Sequence, residues 1–206
     1  MVITDTAVAA PRSISEIVAW ALRAGAPAIQ LRAKSATARE LFELGIPIRD
    51  LTLAAGALFI VNDRIDVALA LAADGAHLGE DDLPIRCVRP ALPPTFLLGF
   101  SADDPKVARN AVALGADYIG CGAVYQSSNK ADVGEAIGPD GLARVVEAVD
   151  VPVVAIGGIT LPRASEVAAS GACGCAVIEA VMGAHDPAAA VRSLLGSFQK
   201  PVPEVQ

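Results

Sequence analysis

Several things are scarce in this 206-residue chain. Basic residues are outnumbered, 16 Lys plus Arg against 23 Asp plus Glu, for a formal charge of −7. That argues against a general nucleic-acid binder, which needs a basic face. No window reaches the roughly 18 uncharged apolar residues of a membrane span. The longest apolar runs, Leu51–Val61, Val151–Leu161 and Val167–Ile178, read as buried strands with part of a neighbouring helix. The N-terminus, Met1-Val-Ile-Thr-Asp5, carries no basic leader, so a cytoplasmic protein is expected. The four cysteines (Cys87, Cys121, Cys173, Cys175) form no pair of C-x-x-C knuckles, and both histidines lie far from them. They read as small core residues in a reducing compartment rather than as a zinc site. Disorder is excluded by 53% hydrophobic content.

What is present is an alternation. Short apolar runs at Val2–Thr4, Ala28–Arg32, Leu58–Asn62, Ala76–Leu78, Leu97–Ser101, Tyr118–Gly122, Val153–Ile156 and Cys175–Ile178 read as strands. Between them, helical stretches are expected near 13–24, 38–55, 64–72, 85–91, 105–114, 139–149, 162–170 and 187–198. Asp104-Pro105, Leu161-Pro162 and Asp186-Pro187 each place proline in a first helical turn. A small-residue turn recurs before strands, as Ala72-Ala73-Asp74-Gly75, Leu114-Gly115-Ala116-Asp117 and Ser170-Gly171-Ala172-Cys173. Eight strands alternating with eight helices predict an α/β fold, a single-domain (β/α)₈ TIM barrel over residues 1–199 followed by a flexible tail, 200–206. A doubly wound open sheet is the competing fold, disfavoured by the missing first-turn G-x-G-x-x-G.

In such a barrel, polar residues at strand C-terminal ends form the active site. Arg32, Lys34 and Lys130 are cations there, with Asp63 and Asp82 as carboxylates among them. Cations around a carboxylate pair suit a diphosphate held with Mg²⁺, which takes one or two carboxylates plus phosphate oxygens. The same cations could instead pair with Asp5 or Asp63 to close the barrel mouth. The Gly157-Gly158 loop after the seventh strand, with Ser127 and Asn129 from the sixth loop, suits a second, single phosphate. His77 reads as a barrel residue bonded to a neighbouring carboxylate rather than as a general acid or base.

The stretches Gln30-Leu31-Arg32-Ala33-Lys34, Val61-Asn62-Asp63-Arg64, Asp74-Gly75-Ala76-His77-Leu78-Gly79-Glu80-Asp81-Asp82, Gly115-Ala116-Asp117-Tyr118 and Ala155-Ile156-Gly157-Gly158-Ile159-Thr160 resemble, in order and spacing, the thiamine phosphate synthase family. The resemblance runs from Ile3 to about Leu195. It implies a transferase on a (β/α)₈ barrel. An aminomethylpyrimidine diphosphate would be joined to a thiazole phosphate by a dissociative, Mg²⁺-assisted route, giving thiamine phosphate and diphosphate. It further implies that Asp63 and Asp82 hold the metal and that Arg32, Lys34 and Lys130 clamp the leaving diphosphate. Gln30 and Asn62 would orient the pyrimidine, with Ser101 near its amino group. Ser127, Ser128, Asn129, Gly158 and the Ile178–Glu179 backbone would hold the thiazole phosphate. The sequence departs from the family at Ser127-Ser128-Asn129, where Thr-x-Thr is usual, at Ala33 and Ala123, and at Glu179, where Ser is usual. Two other readings of the same barrel are a thiazole tautomerase-like isomerase and a non-catalytic phosphate-ligand sensor. Small molecules are the expected partners, and a homo-oligomer remains open.

Overall fold

A computed structural model describes residues 1–126 and 136–198. Eight parallel strands follow one another in chain order around one sheet: β1 (Val2–Ile3), β2 (Ala28–Leu31), β3 (Leu58–Asn62), β4 (Gly75–Leu78), β5 (Leu97–Ser101), β6 (Tyr118–Cys121), β7 (Val153–Ile156) and β8 (Gly174–Ala176). The sheet closes on itself. Val2 bridges Val177, with Ile3 N–H donating to the Val177 carbonyl at 2.9 Å and Val177 N–H to the Met1 carbonyl at 3.1 Å. The fold is the expected TIM barrel.

The helices are α1 (Thr6–Ala9), α2 (Ile14–Arg23), α3 (Ala38–Ala55), α4 (Ile65–Ala70), α5 (Ile85–Val88), α6 (Pro105–Ala113), α7 (Gly138–Val146), α8 (Ala164–Ala169), α9 (Glu179–Met182) and α10 (Pro187–Phe198). The short α1 and α9 were not expected. The stretch expected as one helix over 85–91 becomes α5 and a 3₁₀ turn at Arg89–Ala91, because Pro90 has no N–H to continue an α-helix. Local chemistry sets the starts. Thr37 and Glu40 form a reciprocal capping box before α3, and the Asp104 carboxylate accepts from Lys106 and Val107 N–H before α6.

Strand alternation divides the side chains into two sets. Ile29, Leu31, Phe59, Val61, Ala76, Leu78, Leu98 and Ile119 belong to one buried apolar cluster with helix residues such as Ile17, Ile48, Val67, Leu142 and Val191. Each fully buried Leu or Phe there contributes about 1.5–3 kcal/mol. The opposite phase, Gln30, Asn62, His77, Ser101 and Tyr118, lines the barrel interior. Of the cysteines, Cys121 and Cys175 are buried as expected, but Cys87 and Cys173 are exposed, so only half of them serve the core.

The recurring turn has a structural purpose at the N-terminal rim. Asp74 accepts from the Phe59 N–H of the preceding strand at 2.7 Å and from Arg49 at 3.1 Å. Asp117 does the same with Leu98 N–H at 2.8 Å and Arg89 at 3.1 Å. Each carboxylate thus ties two strands and a helix at the face opposite the expected site. Ala72 adopts φ 49° where the other two turns use Gly115 and Gly171.

Candidate active site

The C-terminal rim gathers the strand ends named above. After β3 the chain turns sharply: Asp63 takes φ 62°, its N–H donates to the His77 carbonyl at 2.8 Å, and Arg64 N–H donates to the Asn62 carbonyl at 2.7 Å. Aspartate tolerates the left-handed region better than most residues, so this position is built for a short carboxylate. From the β4 side, the loop Gly79–Asp82 folds so that Gly79 N–H donates to the Asp82 carboxylate at 2.6 Å. The two carboxyl groups meet. Burial first, then the charge of Asp82 and a hydrogen bond with it, push the Asp63 carboxyl up to about 6, while Lys34 and Arg32 oppose the rise.

That arrangement fits a hard divalent cation. Two acceptor-only carboxylates that repel one another are relieved by such an ion. Among the described residues no group of three or more His, Cys, Asp or Glu forms a fuller cage. The remaining coordination would fall to water and substrate oxygens, as Mg²⁺ takes it.

The cations stand beside this pair. Arg32 follows β2, and its backbone is gripped on both sides by Thr4, whose hydroxyl accepts from Arg32 N–H at 2.9 Å and donates to the Arg32 carbonyl at 3.2 Å. The Arg32 guanidinium lies 3.8 Å from Asp5, a loose pairing that leaves it 17% exposed. Asp5 itself caps α1 by accepting from Ala7 and Val8 N–H. Arg32 thus has the carboxylate neighbours that the barrel-mouth reading names, Asp5 and Asp63, while its guanidinium keeps some exposure at the rim. Lys34 is exposed at the same rim. Gln30 is 4% exposed and donates to the Met1 sulfur at 3.6 Å, which sets it deeper in the barrel than the other candidates.

His77 is not bonded to a carboxylate as expected. Its Nδ1 lies 3.0 Å from the Tyr118 hydroxyl and its Nε2 lies 2.9 Å from Ser101 Oγ. Two hydroxyls from the next two strands reach it first, because β5 and β6 present Gly99 and Gly120 where bulk would otherwise stand. Burial lowers the His77 pKa to about 4 and raises the Tyr118 phenol. Tyr118 and Thr4 were not singled out from the sequence. A lone Tyr or Thr in an apolar strand gives no signal of its partner.

On the far side of the rim, Gly157 and Gly158 have φ 95° and 61°. A Cβ on Gly158 would lie 2.7 Å from the carbonyl oxygens of Tyr125 and Gln126, so this loop has room only for glycine. Arg163 fastens it, donating to the Gly158 carbonyl at 2.8 Å and lying over the Tyr125 ring at 4.5 Å. Ile178 and Glu179 open α9. Glu179 is exposed, and its Cγ lies near Gly183, one turn along the helix. Ser127, Ser128, Asn129 and Lys130 lie outside the described residues, as does the tail expected from residue 200.

Comparison with known proteins bears on the family and the fold. A family profile described as "Thiamine monophosphate synthase" matches residues 1–181. A thiamine-phosphate synthase of Moorella thermoacetica is 50% identical over 193 residues, covering 94% of this chain and 92% of its own. One from Haloarcula marismortui is 46% identical over 201 residues, with 96% and 95% coverage. Among solved structures, a thiamine phosphate pyrophosphorylase from Pyrococcus furiosus superposes with a TM-score of 0.87 at 45% identity, covering 96% of this chain and 93% of that one. A 3-hexulose-6-phosphate synthase at 18% identity and TM-score 0.68 shares the barrel alone. With that profile over residues 1–181 and relatives 46–50% identical over more than nine-tenths of the chain, the chain belongs to the thiamine monophosphate synthase family.

Proposed function

We propose that this chain is a transferase that joins an aminomethylpyrimidine diphosphate to a thiazole phosphate, releasing diphosphate and thiamine phosphate. The observation that carries the reading is the meeting of Asp63 and Asp82 beside Arg32 and Lys34 at one barrel rim. A pair of repelling carboxylates flanked by cations is costly for a structural site and suited to a metal-bound diphosphate. Asp63 and Asp82 would hold Mg²⁺, which supplies positive charge on the diphosphate oxygens when bound.

The chain's own residues do the rest. Arg32 and Lys34, with Lys130 on sequence grounds, meet the charge that grows on the leaving diphosphate as the C–O bond breaks. Thr4 holds the Arg32 backbone so that this charge is delivered from a fixed point. Asn62, Gln30 and Ser101 orient the pyrimidine, whose ring stabilises the methylene cation until the thiazole nitrogen captures it. Gly158, the Ile178–Glu179 backbone and Ser127, Ser128 and Asn129 would receive the thiazole phosphate. The capturing nitrogen loses no proton, so the bond-forming step needs no general base. The substrates are small molecules, and among the described residues no helix is long and apolar enough to cross a membrane. Four unpaired cysteines accord with a reducing, cytoplasmic setting.

The test is direct. Purified protein with both substrates and Mg²⁺ is expected to form thiamine phosphate and diphosphate in equal amounts, and Asp63→Ala to lose this activity. Product formation unchanged in Asp63→Ala would overturn the assignment of the metal site.

A further inference from the structure

We infer that Tyr118 and His77 form a positioning relay that fixes the direction of the Ser101 hydroxyl, so that Ser101 donates a hydrogen bond to a ring nitrogen of the pyrimidine. The inference rests on the proposed synthase reading for the identity of the substrate, but the relay's direction follows from the protein alone.

Tyr118 carries one hydroxyl proton and is 9% exposed, inside the barrel. Among the described residues its hydroxyl has one hydrogen-bond partner, His77 Nδ1 at 3.0 Å. If Nδ1 carried a proton, the Tyr118 proton would point at nothing, a costly state for a buried donor. The arrangement that satisfies every group has Tyr118 donating to Nδ1. A neutral imidazole that accepts at Nδ1 must carry its proton on Nε2. That proton is then donated to Ser101 Oγ at 2.9 Å. Ser101 cannot donate back along the same line, so its own proton is turned away from His77. Ser101 ends β5 and is exposed at the rim.

The barrel is shaped around this relay. A Cβ on Gly99 would lie 2.5 Å from His77 Nδ1 and from Tyr118 Cε1, and one on Gly120 would lie 2.8 Å from His77 Cε1. Both neighbouring strands give up a side chain where the two rings pack, with ring centroids 5.4 Å apart. His77 is thus a positioning residue acting through Ser101. An aminopyrimidine presents ring-nitrogen acceptors, so a serine whose proton is turned away from His77 has it available for one of them and favours that ring orientation before the diphosphate leaves.

The first experiment needs no turnover. Long-range ¹H–¹⁵N spectra of the ¹⁵N-labelled protein at neutral pH report which imidazole nitrogen is protonated. The chain has two histidines, and His77→Gln removes one signal to assign the other. The relay predicts His77 protonated on Nε2, and a His77 protonated on Nδ1 overturns it. The second experiment is a double-mutant cycle on the synthase reaction. Ser101→Ala is expected to lower kcat about tenfold, the scale for one lost hydrogen bond to substrate. Tyr118→Phe should lower kcat in the native background and change nothing further in Ser101→Ala. His77→Leu should match Ser101→Ala, with part of the loss recovered in His77→Gln, which restores an N–H donor. Losses that multiply in the double variant would show that Tyr118 acts on stability or elsewhere. A native protein that forms no thiamine phosphate would sink the synthase reading while leaving the tautomer measurement intact.

Discussion

Asp63→Asn should make the protein more stable and less active at once. The Asp63 carboxyl is pushed from 3.8 to about 6 by burial and by Asp82, so at pH 7.5 the folded protein holds an ionised group that it disfavours. The gap corresponds to about 3 kcal/mol in full, and water access at the rim reduces it to about 1–2 kcal/mol. The sign follows from proton binding. Between pH 3.8 and 6 the native state binds more protons at this site than the unfolded chain, so its contribution to stability falls as pH rises and is fully unfavourable above 6. Asparagine removes the charge and keeps the shape. Without divalent cation, Asp63→Asn is expected to melt about 2–8 °C higher at pH 7.5, taking about 2–4 °C per kcal/mol for a chain of this size. At pH 5 the gain should shrink by about half, because the native carboxyl is then largely protonated. Mg²⁺ should raise the melting temperature of the native protein and leave that of Asp63→Asn nearly unchanged. Differential scanning calorimetry at the two pH values, with and without Mg²⁺, reads all of this. A variant that melts lower, or a gain equally large at pH 5, would refute the view that Asp63 and Asp82 repel one another across a cation site.

His77 should respond with the opposite sign. Its pKa falls from 6.5 to about 4 on folding, so its stabilising contribution is complete above 6.5 and is lost as pH falls toward 4. Urea unfolding at pH 7 and pH 5 should show His77→Gln losing up to about 2 kcal/mol less than the native protein over that range, and equal losses would contradict the buried, neutral assignment. Asp117→Ala strands the Leu98 N–H and leaves Arg89 only the Pro93 and Phe96 carbonyls, and should cost about 1–3 kcal/mol in urea unfolding with kcat unchanged in the folded fraction. A lowered kcat would place the N-terminal rim in the chemistry. Arg32→Ala should slow single-turnover formation of thiamine phosphate by roughly 10²–10³ at saturating substrates, the scale for one lost charge-stabilising group, and an unchanged rate would remove Arg32 from the diphosphate clamp.

Much of the architecture is legible in the residues. The eight strand cores fall where apolar runs are bounded by turn residues, and β3, β5 and β7 match the expected limits, because parallel strands buried on both faces write a continuous signal. Helix α3 likewise begins at its Thr37 cap and ends at Gly56, whose φ is 66°. What escapes is whatever depends on a partner distant in sequence. Thr4 and Arg32 are 28 positions apart, and His77 and Tyr118 are 41 apart. Only barrel closure brings them together, so the hydroxyl partners of His77 could not be read from its neighbours Gly75 and Gly79. The strand-end rule brings Arg32, Asp63 and Asp82 to one rim because it needs only the position of each strand's end. It says nothing about depth, which is why Gln30 looks equivalent to Asn62 in sequence yet lies against Met1.

The measurement closest to the central claim is calorimetric titration of the aminomethylpyrimidine diphosphate into the protein, with and without Mg²⁺, on the native chain and on Asp63→Ala. The account predicts Mg²⁺-dependent binding to the native chain, lost in the variant. Binding of equal strength without Mg²⁺, or none at all, would contradict it.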